Sequence, residues 1–142
     1  MPKFPLPEQS ISTWFRYCLM AAAIFNLFGA ISFAPPVYYR VGDTVKLPQD
    51  ASPFGLWVIA SWIFLFGVGY AWLALKPKPE RLFIAVAASC KLALTILFVV
   101  FCSTGYLPSI CLFAGLGDFI FAMAFIFWLF QTYQKQGLES IE

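Results

Sequence analysis

The sequence predicts an all-α integral membrane protein that folds as an antiparallel four-helix transmembrane bundle. The composition is 61% hydrophobic and only 11% charged, and the mean hydropathy is +0.81. Soluble domains average about 25% charged and 45–50% apolar residues, so this composition excludes a water-soluble globular fold. The aromatic content of 20% also excludes a disordered chain.

The order of apolar and polar segments predicts four spans within one transmembrane domain, residues 1–142. A helix needs about 20 mostly apolar residues to cross the roughly 30 Å hydrocarbon layer. Short connections favour antiparallel neighbours, so we expect the second span to pack beside the third, and the third beside the fourth. The first connection is polar and long enough to hold a short structured element. The predicted spans are about 13–34, 54–75, 81–103 and 107–133.

The distribution of Lys and Arg predicts the orientation of the spans. Cytoplasmic connections and termini carry an excess of these residues. The side that holds both termini and the second connection carries Lys3, Arg16, Lys76, Lys78, Arg81 and Lys135. The other side carries only Arg40 and Lys46. We therefore expect both termini in the cytoplasm. The first span is longer than the 7–15-residue core of a secretory signal, so we expect it to be retained.

Two charged residues fall in the middle of predicted spans. Lys91 lies ten residues after Arg81, and Asp118 lies eleven residues after Leu107. At 1.5 Å per residue, both reach a depth of roughly 15 Å from opposite faces. Asn26 reaches the same depth on the first span. Because a charge at the bilayer centre costs about 2.5–3.5 kcal/mol, we expect a Lys91–Asp118 ion pair whose hydrogen bonds are completed by Asn26.

Neighbouring residues extend this polar centre. Thr95 lies one helical turn from Lys91 and adds a hydroxyl to the same face, and Tyr70 is a further candidate on the second span. Gly115 and Ala122 share a helical stripe with Asp118. Small residues on one stripe let helices approach closely in lipid, so we expect Asp118 to point into the bundle.

Three interpretations of the polar centre remain open. A buried ion pair can specify how helices pack. It can also form a ligand-binding site or a site of proton or ion translocation, because ionisable residues inside membranes commonly mark function. Our leading hypothesis is a non-enzymatic accessory or assembly factor, or a small subunit, that packs beside another membrane protein or further copies of itself. The alternative is a binder or carrier of a small amphipathic ligand, a quinone or a lipid, held at the Lys91, Asp118 and Asn26 centre. An enzyme that acts on such a ligand is the third hypothesis.

Several other kinds of chemistry lack a signature. The chain contains no histidine, so a catalytic triad with an imidazole base is excluded, and we predict no catalytic residues. The cysteines are scattered, and we expect neither a metal nor a cofactor. A net charge of +2 is too small for a nucleic-acid partner. Cys102 and Cys111 flank the third connection, which leaves open a disulfide or burial as small apolar side chains.

Short motifs in all four spans resemble those of small four-span bacterial membrane proteins of loosely DoxX-like architecture. They are the segments 26–36 (NLFGAISFAPP), 66–70 (FGVGY) and 117–121 (GDFIF), together with Lys91. The resemblance implies a four-helix bundle in a bacterial cytoplasmic (inner) membrane. It also implies a link to redox partners or to the assembly of other membrane proteins. The chain lacks the paired-cysteine motif that a direct thiol-redox role requires.

Overall fold

The computed structural model describes residues 11–76 and 78–139, and the prediction of an all-α fold is confirmed. Lys3, one of the basic residues that predict the orientation, lies outside the described residues. The helices are α1 (Thr13–Phe33), α2 (Pro35–Val45), α3 (Pro53–Leu75), α4 (Arg81–Ser103) and α5 (Cys111–Glu139). Four of them, α1, α3, α4 and α5, are long and apolar enough to cross a membrane, so the chain is a multi-pass membrane protein.

Prolines and a hydroxyl cap set several helix ends. Ala34 precedes Pro35 and is extended (ψ 128°), which ends α1 and lets α2 begin on a proline. Ser52 caps α3, because its Oγ accepts a hydrogen bond from the Gly55 amide at 3.0 Å. Lys76 is extended before the next proline, which ends α3. The element expected in the first connection is thus the 11-residue helix α2.

The last span begins later and ends later than the sequence predicts. The Leu107 amide donates to the Phe101 carbonyl, and the Cys111 amide donates to the Pro108 carbonyl. These bonds hold the chain between α4 and α5 in a turn, so the helix begins at Cys111 rather than near Leu107. At the other end, the sequence becomes polar after Tyr133. Polar residues do not by themselves end a helix, and α5 continues to Glu139.

The long helices form two antiparallel pairs. α1 packs along α3, and α4 packs along α5, whereas α3 and α4 make few close backbone contacts. The expectation that the third span packs beside the fourth is confirmed. The expectation that the second packs beside the third is wrong over most of their length. A short connection holds two helix ends together but does not determine which faces pack.

Small residues explain this pairing, because they let backbones approach closely in lipid. A Cβ added at Gly67 of α3 would lie 3.1 Å from the Asn26 Cβ and 3.4 Å from the Ala23 carbonyl oxygen of α1. A Cβ added at Gly115 of α5 would lie 3.0 Å from the Phe98 Cβ of α4. The closest backbone approaches therefore lie within the two pairs and not between α3 and α4.

Aromatic rings join the two pairs along α1 and α5. Phe15 stacks on Trp128 with ring centroids 4.4 Å apart. Phe25 packs on Phe121 at 5.5 Å. The opposite edge, between α3 and α4, is closed only near the α3–α4 connection. There, Phe83 stacks on Phe66 at 5.8 Å.

Candidate functional site

The polar centre contains an ion pair between adjacent helices. The Lys91 Nζ of α4 donates a hydrogen bond to the Asp118 Oδ1 of α5 at 2.7 Å. The two residues are only 3% and 6% exposed. Each charge thereby has a partner at a depth where an isolated charge would be costly.

Asn26 connects this ion pair to the other two long helices. The Lys91 Nζ donates to the Asn26 Oδ1 at 3.1 Å. The Asn26 Nδ2 in turn donates to the Ile63 carbonyl of α3 at 3.0 Å. One continuous network therefore joins α5, α4, α1 and α3, and the Lys91–Asn26 bond links the two helix pairs.

Three aromatic rings surround the Lys91 ammonium. Its Nζ lies 5.4 Å from the ring centroid of Phe25, 5.7 Å from that of Tyr70 and 5.5 Å from that of Phe121. Ring faces attract a cation within about 6 Å, and the attraction is strongest where water is excluded. The ammonium therefore has two hydrogen bonds and an aromatic surrounding.

Thr95 and Tyr70, the other two candidates, lie in different places. The Thr95 Oγ1 lies 3.1 Å from the Gly115 carbonyl of α5 and 2.9 Å from the Lys91 carbonyl of its own helix. Thr95 thus serves the α4–α5 contact and does not line the cavity described next. Tyr70 does line that cavity, and it is 1% exposed.

A cavity of about 420 Å³ lies between α3 and α4, where the two helices do not pack. Its polar floor is formed by Asn26, Lys91 and Asp118, and its walls are almost entirely apolar. Nearer the α3–α4 connection, Phe83 of α4 contacts α3: its ring stacks on Phe66 and lies so close to Gly69 that a Cβ added there would come within 2.5 Å. The wall residues are Val58, Ile59, Trp62, Ile63, Phe66, Tyr70, Cys90, Ala93, Leu94 and Leu97.

Two polar atoms at the cavity have no hydrogen bond to any described residue. They are the second carboxylate oxygen of Asp118 and the hydroxyl of Tyr70. Every fully buried side-chain nitrogen or oxygen in the described part of the chain has a partner. These two atoms therefore retain some access, and both of their residues line the cavity. The site therefore has unused hydrogen-bonding capacity at its floor, on Asp118, and on its wall, on Tyr70.

Apart from Tyr70, sequence reasoning missed the residues of the cavity walls and the rings of Phe25 and Phe121 around Lys91. Trp62 and Leu97 are apolar residues in apolar spans, where nothing in their spacing separates a cavity wall from a lipid contact. Phe25 directly precedes Asn26, and Phe121 follows Asp118 by three residues, which is nearly one helical turn. Their proximity to polar residues was the available signal. Ser61, at a similar depth, is exposed and does not line the cavity.

The cysteines offer no metal site or disulfide within the described residues. All four are free, and the Cys102 Sγ lies 3.5 Å from the Pro108 carbonyl oxygen. The disulfide between Cys102 and Cys111 is therefore not formed. Cys90 is exposed rather than buried, and it lines the cavity. In the part of the chain that the structure describes, no three His, Cys, Asp or Glu residues are grouped to hold a metal ion.

No family model, curated protein or solved structure matches this chain.

Proposed function

We propose that the protein binds or carries a small amphipathic molecule, a quinone or a lipid, in the cavity between α3 and α4. The observation that carries the proposal is an intramembrane cavity of about 420 Å³ with apolar walls and an ion pair at its floor. Small-molecule sites are typically apolar clefts of about 300–1,000 Å³ with a few polar groups that orient the ligand.

The hydrogen-bonding capacity left at the cavity supports this function over a purely structural role. An ion pair that only fixes helix packing is best enclosed by all four helices, because burial strengthens the attraction between the charges. Here α1, α4 and α5 enclose the pair, and α3 contributes the Tyr70 ring but stands away from α4 over most of its length. Asp118 and Tyr70 are left with unused hydrogen-bonding capacity. A ligand head group at this floor would use that capacity, and its tail would cover the apolar walls.

Native mass spectrometry of the protein, gently extracted from its own membrane, tests this proposal. We expect a bound small molecule of defined mass. Leu97→Trp places a large ring into the cavity without altering the polar floor, so it should remove that mass. Ile96→Trp is the matched control, because Ile96 is its exposed neighbour and does not line the cavity. A bare wild-type chain, or equal retention by both variants, would contradict the proposal.

A second candidate is an accessory or assembly factor, or a small subunit, that packs beside another membrane protein without catalysing a reaction. The open edge between α3 and α4 favours it, because a transmembrane helix of a partner would find apolar side chains such as Trp62 and Leu94 there. The same mass spectra distinguish the two candidates. A second protein at fixed stoichiometry, with no small molecule, would support the subunit function.

The proposal also includes the orientation and the membrane. Six basic residues against two support cytoplasmic termini, and the resemblance to DoxX-like proteins supports a bacterial inner membrane. Fusions to the C-terminus test the orientation. A fused green fluorescent protein should fluoresce, and a fused alkaline phosphatase should be inactive. An active phosphatase would reverse the assignment.

A further inference from the structure

The Lys91 ammonium has little capacity left for a ligand. Two of its three protons are donated, to the Asp118 Oδ1 and to the Asn26 Oδ1. The rings of Phe25, Tyr70 and Phe121 surround it. Asp118 neutralises its charge at 2.7 Å. An anionic head group would therefore add an unbalanced charge to a neutral centre inside the membrane.

The unused capacity lies on Asp118 and Tyr70. The second carboxylate oxygen of Asp118 is an acceptor only, because Asp118 is ionised in its pair with Lys91. The hydroxyl of Tyr70 can donate or accept. Asp118 is only 6% exposed, so its second carboxylate oxygen has little access to water and would gain from a hydrogen-bond donor in the cavity. A cationic donor would again leave the centre with an unbalanced charge.

We infer that the head group bound at this floor is an uncharged hydroxyl. It donates a hydrogen bond to the free carboxylate oxygen of Asp118 and accepts one from the hydroxyl of Tyr70. This inference rests on the proposed function, and it narrows the ligand to a molecule that joins a hydroxyl to a hydrocarbon tail. Two sources have that chemistry: a lipid alcohol and an alkylated phenol.

The walls of the cavity fit either tail. Trp62 and Phe66 contribute aromatic rings to the lining, and Leu94 and Leu97 contribute aliphatic side chains. Val58 and Leu97 are partly exposed to the surrounding membrane. A tail longer than the cavity can therefore continue into lipid.

Competition between matched probes, read by native mass spectrometry of the delipidated full-length protein, tests the inference. The mixture contains equal amounts of 1-hexadecanol, hexadecyl methyl ether, hexadecanoate and a 4-alkylphenol. The ether keeps an acceptor but lacks the proton for Asp118. A hydrogen bond to a charged group is worth roughly 10- to 100-fold in affinity. We expect the two hydroxyl probes to exceed the ether and hexadecanoate by that factor.

Tyr70→Phe tests the proposed hydrogen bond from the Tyr70 hydroxyl to the ligand and leaves the Lys91–Asp118 ion pair in place. Tyr70→Phe keeps the ring that packs on Phe83 and Phe125. It should lower retention of the hydroxyl probes by about three- to tenfold, as expected for one neutral hydrogen bond. The control is Tyr106→Phe, which lies in the α4–α5 connection and does not line the cavity; it should leave retention unchanged.

The outcomes separate the two proposals. Preference for the phenol identifies an aromatic head group, and preference for hexadecanol identifies a lipid alcohol. Each supports the inference. Equal or better retention of the ether or hexadecanoate, abolished by Leu97→Trp, overturns the hydroxyl assignment but leaves ligand binding intact. If wild type retains no probe above Leu97→Trp, both proposals fail.

Discussion

Phe25 of α1 lies with its ring against Gly117 of α5, where a Cβ on Gly117 would come within 2.6 Å of two ring atoms. The same ring faces the Lys91 ammonium and packs on Phe121. Because Gly117 has no side chain, the Phe25 ring of the α1–α3 pair has room to lie over the Lys91 ammonium of the α4–α5 pair.

Gly117→Ala should displace the Phe25 ring and destabilise the protein by about 1–3 kcal/mol, which is the usual cost of overpacking. Unfolding in mixed detergent micelles measures the change. Phe25→Leu in the same chain should restore part of the loss, because the smaller side chain makes room for the new methyl group. The control is Gly137→Ala, where an added Cβ meets no atom within 4 Å. Equal effects of the two alanine variants would contradict the proposed contact.

Removal of one partner of the ion pair should be more harmful than removal of both. Lys91→Leu or Asp118→Leu leaves a buried charge without its partner, and such changes typically cost about 3–5 kcal/mol. The double variant removes both charges, so its unfolding midpoint in mixed detergent micelles should be closer to that of wild type than the midpoint of either single variant. A double-mutant cycle measures the coupling. Additive losses would mean that the two side chains do not interact.

The leucine pair also distinguishes a structural centre from a binding site. If the protein with both substitutions folds but no longer retains the small molecule found on wild type, the centre binds the ligand. If it folds and retains that molecule, the ion pair serves packing alone. The readout is the bound mass in native mass spectra, with the unfolding midpoint as evidence of folding.

Thr95→Val should lower the free energy of unfolding by about 1 kcal/mol. The variant replaces the hydroxyl, which contacts one carbonyl of α4 and one of α5, with a methyl group of similar shape. Ser89→Ala is the matched control. The Ser89 Oγ bonds only to the Ala85 carbonyl of its own helix, and the side chain is exposed. Since Thr95 does not line the cavity, ligand retention should stay unchanged. A greater loss for Ser89→Ala would contradict the assigned role of Thr95.

Arg16 ties the start of α1 to the end of α3. Its Nε donates to the Ala74 carbonyl at 2.8 Å, one of the last carbonyls of α3 without a partner within the helix. Arg16→Gln should destabilise the α1–α3 pair by about 1 kcal/mol. Arg16→Lys keeps the charge near the helix end but loses the directed Nε–H. If lysine restores full stability, charge rather than the hydrogen bond is responsible.

The amino-acid sequence by itself determined the class of the protein, the number and approximate bounds of its spans, and the common level of the polar residues. Span length follows from the thickness of the hydrocarbon layer, and helix ends follow from prolines that cannot continue a helix. Lys91, Asp118 and Asn26 could be placed at one level because helical rise converts sequence distance into depth. Their partnership followed from the cost of an unpaired charge in lipid.

Only the tertiary structure decided which helices pack and where a cavity remains. Depth along a span says nothing about rotation or neighbours, and apolar residues in lipid look alike whether they face a helix, a cavity or the membrane. Close packing at Gly67 and Gly115 joined α1 to α3 and α4 to α5 and left α3 apart from α4. Because no hydrophobic force drives helices together inside lipid, shape complementarity made that choice. It left the floor of Lys91 and Asp118 facing an open cavity.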